Sequence, residues 1–354
     1  LGNIAQRLSR LWARVANLNE LPGIPSARNA RFTTPLSAAY MDPPFRTPYV
    51  QHFNLTFEQQ ILDDLGVSIA YVGNTSRKLL FRRDSNAPLY GPGATAANVN
   101  SRRPYLPGIF AALTEAGTNS NANFNSLQMM VNKRMYRNFT VLGSYTWGKA
   151  IDLGGDEIGG QPQDNYNRDL ERGPADFDMR HIVAASWAWQ IPSWKTIGWA
   201  GRYVLGNWNF TGIARFQTGS AFTVLSGRDT NLDGVTAERA DLTGDPAVGR
   251  GRPKPERLNK FFEPAAFAHP ATGLVGNAGR GILYGPGSAT WNLSLMKNFP
   301  LWETTRIQFR SEFFNALNRA NFGNPTNTLA NANVGRVLSA GQARVIQFAL
   351  RFEF

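Results

Sequence analysis

The feature that most constrains this chain is an alternation of apolar and polar residues, sustained over runs far longer than a soluble strand. In VQHFNLTFEQQI, Phe53, Leu55 and Phe57 alternate with His52, Asn54, Thr56 and Glu58. Past Asp63-Asp64, the apolar side is continued by Leu65, Val67, Ile69 and Tyr71. Successive strand side chains point to opposite faces, so these runs predict a hairpin near 51–62 and 65–74 with one greasy and one wet face. Leu127, Met129 and Val131, then Phe139, Val141, Tyr145 and Trp147, predict a second hairpin turning at 136–138. Further strands are expected near 180–191 and 206–219, then around Trp291, Leu293 and Leu295 and around Ile307, Phe309 and Phe313. The last is ARVIQFALRFEF, with Ile346, Phe348, Leu350, Phe352 and Phe354 on one side.

Strand length and loop arrangement select the class. Runs of about 10–13 residues exceed the ~5–6 usual in soluble sheets. Short turns at 63–64, 135–138 and 300–303 alternate with long connections at 75–123, 152–178 and 226–288. Short turns at one end and long loops at the other are the layout of an outer-membrane barrel, whose strands alternate a lipid face with a lumen face. That explains a mean hydropathy of -0.31 in a membrane protein. Tyr71, Trp147, Trp189, Trp208 and Trp291 suit interfacial girdles. A terminal strand with five apolar residues on one side would be an aggregation hazard as a free edge and is safe once sealed into a wall. The expected fold is therefore all-β: an antiparallel transmembrane β-barrel, here a partial one of about nine strands over 49–354. A closed single-chain bacterial barrel has an even number.

Composition excludes several alternatives. No apolar run reaches the ~18–20 residues of a transmembrane helix, and the absence of Cys removes disulfides, thiol catalysis and Cys-based zinc sites. The formal charge of +12 invites a nucleic-acid reading. Its carriers are scattered (Arg7, Arg10, Arg14, Arg82, Arg83, Arg102, Arg103, Arg250, Arg252, Lys254, Arg257), with no reading helix or aromatic platform. At loops and rims they suit lipopolysaccharide phosphates instead, or a lumen that attracts anions. Residues 1–48 read as an irregular segment. A short basic helix is spaced on Ile4, Leu8, Leu11, Val15 and Leu18, and a Pro-rich extended loop follows from Leu21 to Pro48, with no signal-peptide pattern.

The segments TPYVQHFNLTFEQQILDDLGVSIAYVGNTSRKL, NYNRDLERGPADFDMRHIVAASWAWQIP, DTNLDGVTAERAD, GRGILYGPGSATWNLSLMKNFPL, RIQFRSEFFNALNRANFGNP and VIQFALRFEF run in order from Thr47 to Phe354. Together they resemble the C-terminal barrel portion of TonB-dependent outer-membrane receptors of the Oar-like group, which carry carboxypeptidase-regulatory-like domains. The resemblance implies a 22-stranded barrel around a plug, a ligand bound in loops and lumen, and uptake energised through the TonB complex. It also implies that Phe352 and Phe354 form the signal read by the barrel-assembly machinery. No plug or TonB box is visible in these residues, so the chain reads as a C-terminal fragment. The rival readings are a passive porin-like or structural outer-membrane barrel and a soluble basic nucleic-acid-binding β-protein.

Two clusters carry possible chemistry. Asp229, Asn231 and Asp233 before Gly234 begin like a calcium loop, oxygen ligands at alternate positions and a glycine for the sharp turn. The twelfth position is Ala240, leaving Asp241 or Glu238 to supply the closing acid. Glu171, Arg172, Asp176, Asp178, Arg180 and His181 gather where a long loop re-enters a strand. With no nucleophile signature and no G-x-S-x-G, this cluster predicts structural ion pairs, and no enzyme is expected. The glycines at 276, 279, 281, 285 and 287 lack the strand–loop–helix context of a phosphate cradle and read as turns. The ligand is expected in loops 152–178 and 226–288 and in the lumen.

Overall fold

A computed structural model describes residues 34–136, 138–154, 161–192, 206–249, 251–301 and 305–354, with positions 198 and 204. The expected short helix spaced on Ile4 to Leu18, with Arg7, Arg10 and Arg14, lies outside these residues, as does Arg250. In chain order the strands begin with β1 (Leu36–Met41), β2 (Tyr49–Leu62), β3 (Leu65–Asp84), β4 (Phe110–Tyr136) and β5 (Phe139–Asp152). The middle of the chain adds β6 (Gly173–Pro174), β7 (His181–Gln190), β8 (Trp208–Gln217), β9 (Ala221–Phe222) and β10 (Asp241–Leu242). The last five are β11 (Phe267–Ala268), β12 (Leu283–Tyr284), β13 (Ser288–Pro300), β14 (Arg306–Phe314) and β15 (Val345–Glu353).

Nine of these form one meander in the order β15-β14-β13-β8-β7-β5-β4-β3-β2. Every neighbouring pair in that order is antiparallel. The sheet is not closed: β2 and β15 each pair on one side only among the described residues. This is a partial barrel wall. The short connections (β2–β3, β4–β5, β13–β14) lie at one end, and the long ones, after β3, β5, β8 and β14, at the other.

Register carries one apolar surface across all nine strands, because directly paired residues share a face. Leu55, Tyr71, Leu127 and Trp147 are paired in succession. Further round, Phe139, Trp189, Phe210 and Leu295 form a second such row. Ile307, Phe309 and Phe313 of β14 pair with Phe352, Leu350 and Ile346 of β15. Trp147 and Phe139 stand about 26 Å apart along β5 at ~3.3 Å per residue, close to the height of a barrel's apolar band. The opposite face presents Asn54, Ser126, Thr146, Ser186, Thr211, Asn292 and Gln308, which line up by the same register. Rings fill hollows left by glycine: a Cβ at Gly212 would sit 2.2 Å from the Trp187 indole, and one at Gly73 would sit 2.2 Å from the Phe53 ring.

Two expectations need correction. The 75–123 connection is really 85–109, since β3 runs 20 residues and β4 runs 27. A bilayer needs only ~9–11 tilted residues per strand. The rest of β3 and β4 projects beyond it, where neither face meets lipid and the Asn/Ser-rich stretch 118–126 has no alternation to read. The Pro-rich stretch also contains a strand: β1 pairs in parallel with Phe110–Ala116, occupying the edge of β4 that the shorter β5 leaves uncovered.

Lys297 departs from the apolar row that it occupies between Trp208 and Phe309. Only 2% exposed, it donates from Nζ to the Val204 and Gly206 carbonyls at 3.0 and 2.5 Å and lies over the Trp208 ring. The stem completes the wall while the ammonium is held by turn carbonyls.

Candidate functional site: the loop cap

The long connections do not hang free. A buried apolar cluster of Phe222, Val224, Ala240, Phe262, Phe267 and Ala278 lies in the connection after β8, and Leu329 and Val334 pack on it from the connection after β14. Small β-pairs, β9 with β12 and β10 with β11, fix its path. The loops therefore fold as a cap with a core of its own.

Ionic links join that cap to the wall. Arg239 donates from Nη1 to both Glu171 carboxylate oxygens at 3.1 Å, from Nη2 to the Leu170 carbonyl and from Nε to the Ala278 carbonyl. Burial pulls the Arg239 guanidinium below its ordinary value, while Glu171 pulls the other way. Arg280 is buried against Asp152 at the end of β5 and donates to the Glu171 and Gly173 carbonyls. Gln163 adds a bond to the Gly276 carbonyl and accepts from the Arg239 amide. A cavity of ≈ 510 Å³ lies here, lined by Leu80, Phe81 and Arg82 of β3 and by Glu171, Arg239 and Arg280 among others.

The 171–181 cluster thus divides. Glu171 meets Arg239, and Asp178 accepts from the Ala150 amide at 2.6 Å and from the Tyr284 hydroxyl at 2.9 Å, with Arg180 Nε 3.4 Å away. Asp176 is exposed, 3.8 Å from Arg280, and Arg172 is exposed. His181 bonds through Nδ1 with the Tyr145 hydroxyl at 2.8 Å instead of a carboxylate. The Phe352 and Phe354 rings meet in a tilted pair at the chain end, with centroids 6.0 Å apart. Arg83 and Arg103, counted above with the basic residues suited to lipopolysaccharide, are instead paired within the protein, and residues with no local sequence signal complete the picture. Asp84 pairs with Arg103 at 2.7 Å, Glu115 with Arg83 at 2.9 Å, and Arg239, Arg280, Gln163 and Tyr284 tie the loops. Part of the basic excess is thus neutralised internally. The only advance signal was an Arg beside Glu in AERAD and between glycines in GRG.

The calcium-like segment is closed by Glu238 and not by Asp241. Backbone bonds from Ser226 N to the Glu238 carbonyl (2.8 Å) and from Ala240 N to the Val224 carbonyl (3.0 Å) fold 224–240 back on itself. Asp229, Asp233 and Glu238 then offer carboxylate oxygens all within 4.8 Å of one another. Asp241 is turned away, accepting from the Asn277 amide. Asp229 accepts from the Asp233 and Gly234 amides, and Asn231 Oδ1 accepts from Asp233 N. Burial pushes Asp233 up, and Glu238 up to about 7.

A nine-stranded meander, apolar on one face, polar on the other and capped at the end of its long loops, defines the wall of an outer-membrane β-barrel. Among the described residues no helix is long and apolar enough to cross a membrane; this wall crosses with strands. The family model described as "Outer membrane beta barrel domain" matches residues 9–347, and the chain belongs to that family and to the outer membrane. No curated protein matches it. Among solved structures it is similar to the outer membrane transporter YddB from Escherichia coli, at 9% identity and TM-score 0.49, covering 88% of this chain and 33% of that one. It is also similar to the ferripyoverdine receptor of the outer membrane of Pseudomonas aeruginosa, at 12% identity and TM-score 0.44, covering 87% and 27%. A third is the FrpB iron transporter from Neisseria meningitidis, at 11% identity and TM-score 0.43, covering 89% and 33%. The chain spans about a third or less of the length of these structures.

Proposed function

We propose that the chain is the C-terminal wall and extracellular cap of a TonB-dependent receptor of the Oar-like group, binding a ligand between cap and lumen for energised translocation. The observation that carries this reading is the interlocked cap. Loops 153–180 and 218–287 share a buried Arg239–Glu171 link beside the ≈ 510 Å³ cavity, within the ~300–1,000 Å³ usual for small-ligand sites. A passive pore has no need of so firmly bonded a lid. The segments quoted for the Oar-like resemblance include the residues that make these links: Glu171, Asp178, Arg239 and Arg280. In this reading the remaining strands close the wall along β2 and β15, a plug gates the lumen, and TonB acts through the plug. The rim arginines face lipopolysaccharide, and the terminal Phe354 is read by the assembly machinery. The cap performs no catalysis in this reading.

The full-length protein in planar bilayers is expected to show no steady ohmic conductance and to retain the periplasmic domain of TonB on a column. A stable open channel with no TonB retention would overturn the reading in favour of a porin.

A further inference from the structure

We infer that Asp229, Asn231, Asp233 and Glu238 form a calcium site that fastens the cap, a role independent of whether the barrel transports anything. Glu238 is 1% exposed, and among the described residues its Oε2 has no hydrogen-bond partner. An ionised carboxylate left bare in a protein interior is among the costliest groups to bury. Among the described residues none of Asp229, Asp233 and Glu238 takes part in an ion pair. Three carboxyl side chains therefore converge with no ion-pair partner among the described residues.

The geometry matches a hard divalent ion. Two oxygens on one Ca²⁺ at ~2.4 Å can be at most about 4.8 Å apart, and the three carboxylates satisfy that limit. The backbone has already made the turn: Leu232 and Gly234 hold positive φ (57° and 90°), and amide donors from 233–235 pin Asp229, Asn231 and Asp233 in place. Oxygen-only ligands without His or Cys favour Ca²⁺ over transition metals. Asp229 is half-buried and Gly234 exposed, leaving the ion a path from the medium.

The site also sits where it matters for the cap. Asn231 donates to the Gln163 carbonyl, and Arg239, next to Glu238, reaches Glu171. An ion held here draws the 229–238 turn onto the loop after β5, so calcium in the medium sets how firmly the cap is closed.

The test uses the full-length protein in detergent, stripped with EGTA and titrated with CaCl₂ by calorimetry, with cap unfolding followed in parallel. One saturable event is expected, with a dissociation constant on the order of 10⁻⁴–10⁻³ M, as in extracellular calcium modules. Calcium should raise the cap's unfolding midpoint. Glu238→Gln keeps the shape and removes the charge, and should weaken binding about tenfold or more; Asp241→Asn should bind as wild type. No saturable heat and no rise in midpoint at millimolar Ca²⁺ would overturn the site. So would wild-type affinity in both Glu238→Gln and Asp229→Asn.

Discussion

Arg239→Met is expected to loosen the cap while leaving the wall assembled. Its guanidinium satisfies Glu171 and two carbonyls from separate loop segments, with the side chain 5% exposed. Removing one partner of such a buried pair leaves the other charge unpaired, at a cost of about 3–5 kcal/mol. Glu171→Gln should cost a similar amount for the same reason. The double variant Glu171→Gln/Arg239→Met should lose less than the sum of the two, because no lone charge remains. Denaturant-dependent protease cleavage in 218–287 measures this directly. Heat-modifiable migration of the barrel should not change, since wall hydrogen bonding does not pass through Arg239.

Leu293→Arg is the second substitution with a large expected effect. Leu293 stands near the middle of β13 on the apolar face, paired with Gly212 on one side and Phe313 on the other. An arginine at the bilayer midplane on the lipid face of a barrel costs about 2–4 kcal/mol. Its neighbour Ser294 faces the polar side between Thr211 and Glu312. Ser294→Arg should therefore be nearly neutral, with Glu312 available as a partner. Urea unfolding in lipid vesicles separates the two. Equal costs at both positions would mean that the faces are not distinguished by solvent.

What could be read from the residues followed the physics of the bilayer. Where β2, β5, β7, β8, β13, β14 and β15 cross it, lipid on one side and water on the other enforce alternation, and the strands stood out to within a few residues. Beyond it that contrast vanishes, so the outer halves of β3 and β4 and the strand Leu36–Met41 left no pattern. The cap was still harder to see. Its links join residues far apart in sequence, such as Glu171 with Arg239 or Asp84 with Arg103, and no local period marks them. The calcium-like turn shows the same limit. A helix–loop–helix spacing looks for its closing acid at position 240, whereas here antiparallel pairing of 224–226 with 238–240 returns Glu238 to the cluster and carries Asp241 away. Lys297 is a third case: its place in an apolar row makes sense only with the Val204 and Gly206 carbonyls beside it.

The central claim is that one face of this sheet meets lipid and the other meets water. This chain has no cysteine, so single cysteines placed from Val141 to Trp147 on β5 are the only thiols within it. Each carries a fluorophore, in protein reconstituted into bilayers, and is quenched in turn by a lipid-soluble and a water-soluble agent. Positions 141, 143, 145 and 147 should respond to the lipid-soluble quencher, and 142, 144 and 146 to the aqueous one. Leu142 decides most sharply: apolar by nature, it faces inward by register with Asn132 and Ser186, and aqueous quenching is expected. Uniform aqueous quenching along the strand, or no alternation at all, would contradict the membrane wall.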